Sequence, residues 1–585
     1  MPLRDQLTNI FADAFEVIGL SRDFGRIIVS DRPDLGHFQC SGALGAAKAH
    51  KRNPREIAAQ VVERVKGNPI FAEVSIAGAG FINIRLADDF LATVLNETTS
   101  DERLGASRVA ESETAVIDFG GPNVAKPMHV GHLRSFIIGD CLQRLLRFTG
   151  HKVVSDIHLG DWGTQMGMII REAARMGMDI YFDECYQGEY PADPPFTIDD
   201  LAHMYARANA LCKENEEEMK AALKATHELQ QGRRGYRALW NHIVNVSVSE
   251  LRKELDVLGI RFDLWRGESR YQAVIPAMIE DLLANGHAKV SEGAVVIFLE
   301  QQGKEEIPPL IIRKSDGAYL YGTTDLATLK ERVEEIGADL ILYVVDARQS
   351  LHFRQVFQAA HAAGIGPQSR FEHIMFGTVN GPDGKPLKSR AGGGARLRDL
   401  IGLVVDEEWK RMGEEGVAQG YPEAERRAIA ESVGIAAVKF ADLMHPITSD
   451  YVFEPAKFAE FEGKTGPYLL YAAVRVKSIL RNAVDKGAVA GEILPPIHPA
   501  ERDLMLMLCR MPEAIWLAYE KRAPHFLCDY AYDLSKEFSR FYKECHILRE
   551  PDVRRQSSWL SLATLVLREM ELVLSLLGIT VPERM

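Results

Sequence analysis

The chain has 585 residues, of which 46% are hydrophobic, 26% charged and 8% aromatic, proportions that leave a disordered, collagen-like or coiled-coil chain without support. At roughly 100–200 residues per domain this length predicts three or four domains with sizeable cores. Sixty-nine basic against 82 acidic residues give a net charge of −13, which excludes a chain that coats nucleic acid through bulk positive charge but allows a local basic face.

The seven cysteines (Cys40, Cys141, Cys185, Cys212, Cys509, Cys528 and Cys545) are scattered, and no two form a C-x-x-C pair. Neither a disulfide framework nor a structural zinc is expected. The start, MPLRDQLTNIFADAF, has no basic-then-apolar leader, and no window approaches 18 uninterrupted apolar residues; a cytoplasmic chain with no membrane association is expected.

In chain order, helical periodicity marks 5–17 and 53–66, and β-like runs mark 26–30 and 81–85, so residues 1–110 predict a small α+β domain closed by a polar stretch at 96–107. From residue 111 to 405 apolar β-rich runs alternate with helical patterns: AVIDF (115–119) before 131–149, VVSDI (153–157) before 165–176, LILYVV (340–345) before 349–363, and HIMFGTV (373–379). That alternation predicts a parallel sheet with crossover helices. A helix-rich acidic insertion interrupts it at about 180–260, and its run KENEEEMKAALKATHELQQ (213–231) predicts an exposed helical face. Strand signals stop after about residue 405. Amphipathic patterns at 424–442, 468–483, 501–522, 529–546 and 558–577 then predict an all-α helical bundle over 406–585.

The sharpest chemical signal is His129-Val130-Gly131-His132, which follows the strand AVIDF and the loop GGPNVAKPM and opens a helix at Gly131 or His132. Free N–H groups and the positive dipole end favour phosphate there, and imidazole N–H groups add donors. Gly131 removes the Cβ that would keep a flat base from the backbone. A second phosphate candidate is the loop NGPDGKPLKSR (380–390), where Lys385, Lys388 and Arg390 are carried on mobile Gly/Pro chemistry suited to closing over a polyphosphate. A solvated basic turn accounts for this loop equally well on its own.

Five runs together resemble class I aminoacyl-tRNA synthetases, and within them the arginyl-tRNA synthetase family: GPNVAKPMHVGHLRS (121–135), GDWGTQ (160–165), TSDYVF (448–453), GPYLLYAAVRVKSILR (466–481) and LLGITVPERM (576–585). The resemblance spans nearly the whole chain. It identifies HVGH as the first class signature and KPLKS (385–389) as the second, with Pro386 and Leu387 where that signature usually has Met and Ser. It implies a Rossmann-type catalytic domain between the N-terminal domain and the bundle. It also implies two reactions: arginine and ATP give arginyl-adenylate and pyrophosphate, and the 3'-terminal adenosine of tRNA(Arg) then takes the arginyl group.

The implied ATP residues are His129, Gly131, His132, His352, Lys385 and Lys388, with His129, His132, Lys385 and Lys388 acting in catalysis. Mg²⁺ arrives with ATP, since no Asp/Glu/His cluster suggests a protein-held metal. A guanidinium offers five donors and accepts nothing, so its site needs acceptors. The resemblance implies Asp325 as the main carboxylate, Glu268 for the α-ammonium, Tyr321 as a wall, Asn123 as an orienting group, and Gln349 with His352 contacting arginine and the ATP ribose. GDWG (160–163) shapes the adenosine side. Each residue also has an ordinary structural role open to it: Asp325 as an acid at a helix start, Tyr321 on a strand in the core, Glu268 on the surface.

The partners implied are L-arginine and tRNA(Arg), with a monomeric enzyme. Arg475, Lys477 and Arg481 on the helix at 468–481, and Tyr532, Arg540, Tyr542 and Lys543, mix aromatics with cations as unstacked RNA bases favour; the resemblance makes this bundle the anticodon reader. The basic patch KAHKRNPRE (48–56) lies in the domain that touches the tRNA elbow in this family. Two alternatives remain at this point: an H-x-G-H nucleotidylyltransferase, which leaves both end domains unused, and a catalytically silent RNA-binding paralogue, which has no physical need of both histidines and both lysines.

Overall fold

The structure, a computed structural model, describes residues 3–32, 34–299, 307–387 and 395–585. The chain forms two compact units, one of Met1–Arg108, Arg411–Ala436 and Glu460–Met585, the other of Val109–Lys410 and Ala437–Ala459.

At the N-terminus come α1 (Leu3–Val17), β1 (Ile27–Val29), β2 (Phe38–Cys40), α2 (Gly42–His50), α3 (Pro54–Val65), β3 (Phe71–Ala77), β4 (Phe81–Leu86) and α4 (Asp88–Ser100). The strands make an antiparallel sheet in the order β1-β2-β4-β3. Leu7, Phe11 and Phe15 recur at helical spacing on α1 and share one core with Ile57 and Val61 of α3 and Ile82 and Ile84 of β4. Asn53 caps α3 by accepting from the Arg55 N–H at 2.9 Å, and Pro54 occupies the first turn, where no N–H is needed. The polar stretch expected at 96–107 is helical as far as Ser100. Asn96 donates to the Ala92 carbonyl (3.0 Å) and Thr98 to the Val94 carbonyl (2.8 Å), so these side chains fold back onto α4 instead of ending it.

The second unit runs through β5 (Thr114–Phe119), α5 (Val130–Thr149), β6 (Lys152–Leu159), α6 (Thr164–Arg175), α7 (Ile198–Glu214), α8 (Glu216–Gln230), α9 (Arg234–Val257) and β7 (Leu264–Gly267). It continues with α10 (Ile275–Ala284), β8 (Lys289–Ser291), β9 (Ala294–Ile297), β10 (Leu310–Arg313), α11 (Tyr321–Glu334), β11 (Leu340–Asp346), α12 (Ser350–Ala362), β12 (Arg370–Phe376) and β13 (Val379–Asn380). Five strands form an all-parallel sheet in the order β12-β11-β5-β6-β7, while β8, β9 and β10 form a separate antiparallel sheet ahead of α11. The chain builds outward from β5 through β6 and β7, then returns to fill the other side with β11 and β12. Order therefore reverses between β5 and β11, which opens a crevice beyond the C-terminal ends of those two strands. Ser135 of α5 ties this point together, donating to the Val344 carbonyl on β11 (2.6 Å) and accepting from the Gly120 N–H (2.7 Å).

The insertion is three helices, α7 to α9; α8 buries Ala222, Ala225 and Leu229 and turns its acidic first turn outward. After it come α13 (Leu397–Glu414), α14 (Glu423–Leu443), β14 (Tyr451–Val452) and the short α15 (Pro455–Phe458). β14 pairs in parallel with β13, a strand inside a stretch expected to hold none. Two residues carry no alternation to read, so only tertiary pairing defines them.

The first unit is completed by α16 (Gly466–Asp485), α17 (Pro499–Leu508), α18 (Met511–Glu520), α19 (His525–Glu544) and α20 (Val553–Leu576). Residues 501–522, expected as one helix, form two. Pro512 has no N–H to donate to the Leu508 carbonyl and its ring crowds that carbonyl, so α17 stops and α18 restarts.

Candidate active site

The crevice left by the strand reversal receives the HVGH run. Helix α5 begins at Val130 rather than at Gly131 or His132, with His129 as its N-cap. The Gly131 N–H donates to His129 Nδ1 (3.0 Å), the His129 N–H donates to His132 Nδ1 (3.3 Å), and the rings stack with centroids 4.0 Å apart. Since each Nδ1 accepts, each neutral ring carries its proton on Nε2 and offers it as a donor. Burial, neighbouring His129 and Lys126 push His132 down to about 3, and desolvation with Lys126 also lowers His129. Both rings are thus neutral donors at physiological pH, while the first-turn N–H groups of α5 are already engaged, Val130 on the Ala395 carbonyl, Gly131 on His129 Nδ1 and His132 on the His129 carbonyl. Gly131 is exposed, and a Cβ there would lie 2.8 Å from the His129 ring, so the glycine also makes room for the imidazole that caps its helix.

The segment that follows the second signature anchors on the first. Val130 donates to the Ala395 carbonyl and Leu397 to the Met128 carbonyl, both at 2.9 Å. Ahead of it, residues 379–387 turn back on themselves: Leu387 donates to the Val379 carbonyl (3.1 Å) and Gly381 to the Lys385 carbonyl (2.8 Å). Lys385 is exposed on this turn. Lys388 lies outside the described residues.

The expected arginine residues fall on three elements. Tyr321 is the first residue of α11, 73% exposed, and is not on a strand. One turn later Asp325 is bonded to His352 Nε2 at 2.6 Å, so His352, expected at the ATP ribose, is held against the expected guanidinium acceptor. Gln349 is exposed at the N-terminal boundary of α12 and makes no side-chain cap bond there. Glu268 follows β7 and is half-buried, not a surface acid; burial, Asp161 and Asp325 raise its carboxyl to about 7. Asn123 is exposed, bridges to Gly160, and accepts from Gln165 (3.3 Å). Asp161, within the GDWG run expected to shape the adenosine side, lies on the side expected for arginine instead. It is buried, receives the Ser269 N–H (2.9 Å) and hydroxyl (2.6 Å), and stands beside Glu268.

A second buried cluster, absent from the expectations, underlies the sheet. Asp118 on β5 and Asp156 on β6 lie directly opposite in register. Both receive Arg332 Nη2 from α11, at 2.6 and 2.8 Å. Arg332 is fully buried with its guanidinium 5.1 Å from the Tyr343 ring centre, and burial raises Asp118 despite its partner. The readable signal was a single charge inside each of the apolar runs AVIDF and VVSDI.

In the helical bundle the expected RNA-facing set is partly spent. Lys477 is buried and paired with Glu571 (3.0 Å) and Glu583 (2.8 Å), and Arg540 is paired with Asp503 and Glu537. Arg475 lies over the Tyr542 ring at 5.1 Å. The patch at 48–56 is exposed at Lys48, Lys51, Arg52 and Arg55. Among the described residues no helix is long and apolar enough to cross a membrane, and no group of three or more His, Cys, Asp or Glu is placed to hold a metal ion.

The family described as tRNA synthetases class I (R), catalytic domain, matches residues 94–455, and an arginine–tRNA ligase of Maricaulis maris (strain MCS10) is 48% identical over 586 residues, covering 100% of both chains. The chain belongs to the arginyl-tRNA synthetase family. The arginyl-tRNA synthetase N-terminal domain matches residues 3–86 and the DALR anticodon binding domain residues 469–585. An arginine–tRNA ligase of Alkaliphilus oremlandii (strain OhILAs) is 47% identical, covering 99% of both chains. The crystal structure of arginyl-tRNA synthetase from Plasmodium falciparum superposes with a TM-score of 0.81 at 25% identity, covering 100% of this chain and 99% of that one. The Thermus thermophilus arginyl-tRNA synthetase shares the fold, with a TM-score of 0.80 at 22% identity over 100% of both. Aminoacylation of tRNA(Arg) is the function of this family, and its class I catalytic domain uses ATP. A nucleotidylyltransferase leaves both end domains unused; the N-terminal and anticodon binding matches cover them.

Proposed function

We propose that this chain activates L-arginine with ATP in the crevice between β5 and β11 and passes the arginyl group to the 3'-terminal adenosine of tRNA(Arg). ATP is held by His129, Gly131, His132, His352, Lys385 and Lys388, and arginine by Asn123, Glu268, Tyr321, Asp325 and Gln349. The observation that carries the arginine assignment is the pair Glu268 and Asp325, with the Asp325 carboxylate close enough to raise the Glu268 carboxyl. Such a pair matches a substrate with an ammonium at one end and a guanidinium at the other.

The attacking group is arginine's own carboxylate, ionised at neutral pH, so the first step needs no general base. Its oxygen attacks the α-phosphorus and pyrophosphate leaves. The protein's task is to align the two and offer donors to charge that grows on the phosphate oxygens. Neutral imidazoles that carry their proton on Nε2, together with Lys385 and Lys388, suit that task. These groups are donors, not cation ligands, so Mg²⁺ fits as part of the ATP complex, where it would neutralise the polyphosphate. In the second step the adenosine hydroxyl attacks the arginyl carbonyl and AMP leaves.

Residues 1–110 serve as a tRNA-contacting domain, 111–405 as the catalytic domain and 406–585 as the anticodon-binding bundle of a cytoplasmic monomer. Activation depends on tRNA, because arginine, ATP and the signature loop reach productive geometry once the acceptor end is seated. ATP–pyrophosphate exchange with each amino acid, with and without tRNA(Arg), tests this. Exchange with arginine alone among amino acids, and only with tRNA present, is expected. Robust exchange without tRNA refutes the coupling, and no exchange with arginine under either condition refutes the catalytic assignment in favour of a silent paralogue.

A further inference from the structure

We propose that Asp161 is a positioning residue for arginine: it clamps the turn Gly267–Ser269 so that Glu268 faces Asp325, and its own charge makes the pocket a three-carboxylate site that surrenders a proton when arginine brings in its ammonium and guanidinium. The inference rests on the assignment of Glu268 and Asp325 to arginine.

Three contacts make the clamp. Asp161 Oδ1 accepts from the Ser269 N–H (2.9 Å) and Oδ2 from the Ser269 hydroxyl (2.6 Å), so both oxygens grip the residue after Glu268. Gly267 packs against the same carboxylate, where an added Cβ would lie 2.2 Å from Oδ2. The Asp161 backbone is itself fixed from the insertion, since Trp240 Nε1 of α9 donates to its carbonyl at 2.8 Å. Asp161 is 3% exposed, so its orientation is decided by these partners and not by solvent.

Glu268 is surrounded by like charge. Asp161 from the loop after β6 and Asp325 from α11 both act on it with the same sign. The cations nearby are spoken for or weak: His158 on β6 acts on Asp161, and His352 is bonded to Asp325. Three ionised carboxylates in a desolvated pocket repel one another, and a proton on Glu268 relieves the empty site. Arginine's ammonium and guanidinium supply the missing charge, so binding lowers the affinity of Glu268 for that proton and releases it to solvent. No covalent bond changes; one proton leaves as arginine's two cationic groups enter.

The test uses the full-length protein with tRNA(Arg) and compares wild type, Asp161→Asn and Ser269→Ala in aminoacylation from pH 6 to 8.5. Wild-type kcat/KM for arginine is expected to rise with pH through about 7. In Asp161→Asn the inflection moves to lower pH by about one unit because one repelling charge is gone, while KM for arginine at pH 8 rises roughly 10-fold and KM for ATP stays within about twofold. Ser269→Ala keeps the charge and loosens the clamp, so KM for arginine rises a few-fold with the inflection in place. Calorimetry of arginine binding to the wild type at pH 7, in two buffers of different ionisation heat, is expected to show proton release. An unshifted inflection in Asp161→Asn, or a KM that rises equally for arginine and ATP, overturns the positioning role. If Asp161→Asn does not fold, Ser269→Ala and the calorimetry decide: unchanged arginine KM with no proton release overturns it. A wild type indifferent to arginine would instead sink the assignment on which it rests.

Discussion

Replacing Arg332 with Met should expose how much of the catalytic unit rests on one buried cation. Arg332 is 0% exposed and Asp156 is 0% exposed, with Asp118 at 7%, so neither carboxylate can turn to water when the guanidinium is removed. Losing one partner of a buried pair costs about 3–5 kcal/mol, most of it the uncompensated charge left behind. The carboxyls can escape by taking a proton, which from an ordinary value near 4 costs about 2 kcal/mol each at pH 5.5 and about 5.5 at pH 8. In the variant their folded-state values lie above the unfolded ones, so stability relative to wild type is retained at low pH and lost as pH rises. Urea unfolding of the full chain at pH 5.5 and pH 8, followed through the tryptophans of the second unit, should show a loss about 2 kcal/mol larger at pH 8. Adding Asp118→Asn and Asp156→Asn to Arg332→Met should recover most of it. A loss below about 1 kcal/mol at pH 8, or one that does not change with pH, would refute the picture of a structural charge cluster.

Asp325→Ala should leave a guanidinium unpaired in its pocket and lower kcat/KM for arginine by about 10²–10⁴, with KM for ATP nearly unchanged; near wild-type arginine kinetics would remove Asp325 from the site. His132→Ala should lower kcat for activation by about 10²–10³, more than it raises KM for ATP, because its Nε2–H meets charge that grows in the transition state; a change in KM alone would be the wrong signature. Glu254 on α9, whose Oε2 is buried without a hydrogen-bond partner, is raised to about 7 by burial and Glu250. That penalty is absent below about pH 4.5 and grows as pH rises through 7, so Glu254→Gln should raise stability by about 1–3 kcal/mol at pH 8 and leave it unchanged at pH 4.5. Equal effects at both pH values would contradict this.

The parallel sheet was legible because its strands are buried on both faces and read as unbroken apolar runs; AVIDF, VVSDI and LILYVV all became central strands. The α5 start was legible to one residue, since strand, loop and helix signals coincide at HVGH. Not legible was structure whose cause lies far along the chain. β14 exists only because β13 pairs with it. The break at Pro512 was written in the sequence and overridden by the amphipathic pattern around it. Asp118 and Asp156 were visible as charges in apolar runs, but their meaning needed Arg332, 214 and 176 positions away. Asp161 was likewise unreadable without Ser269, 108 residues on, because a clamp between two loops leaves no local spacing.

An acid limb near pH 7 in the arginine kinetics would by habit be given to a histidine, and His129 and His132 are close at hand. The electrostatics of the site favour another group. His132 is pushed down to about 3 and His129 is also lowered, so the shift of each runs away from the limb. Glu268 is the group raised to about 7, by burial and by Asp161 and Asp325. Arginine needs its carboxylate form, so kcat/KM for arginine should fall below pH 7 as Glu268 takes up a proton, while KM for ATP, which meets the imidazoles, should stay flat over the same range. Glu268→Gln should abolish the limb along with much of the arginine affinity, and His129→Ala should be slow at every pH with the limb intact. Were the limb to vanish in His129→Ala and persist in Glu268→Gln, the titrating group would be the imidazole, and the neutral-donor account of α5 would fall with it.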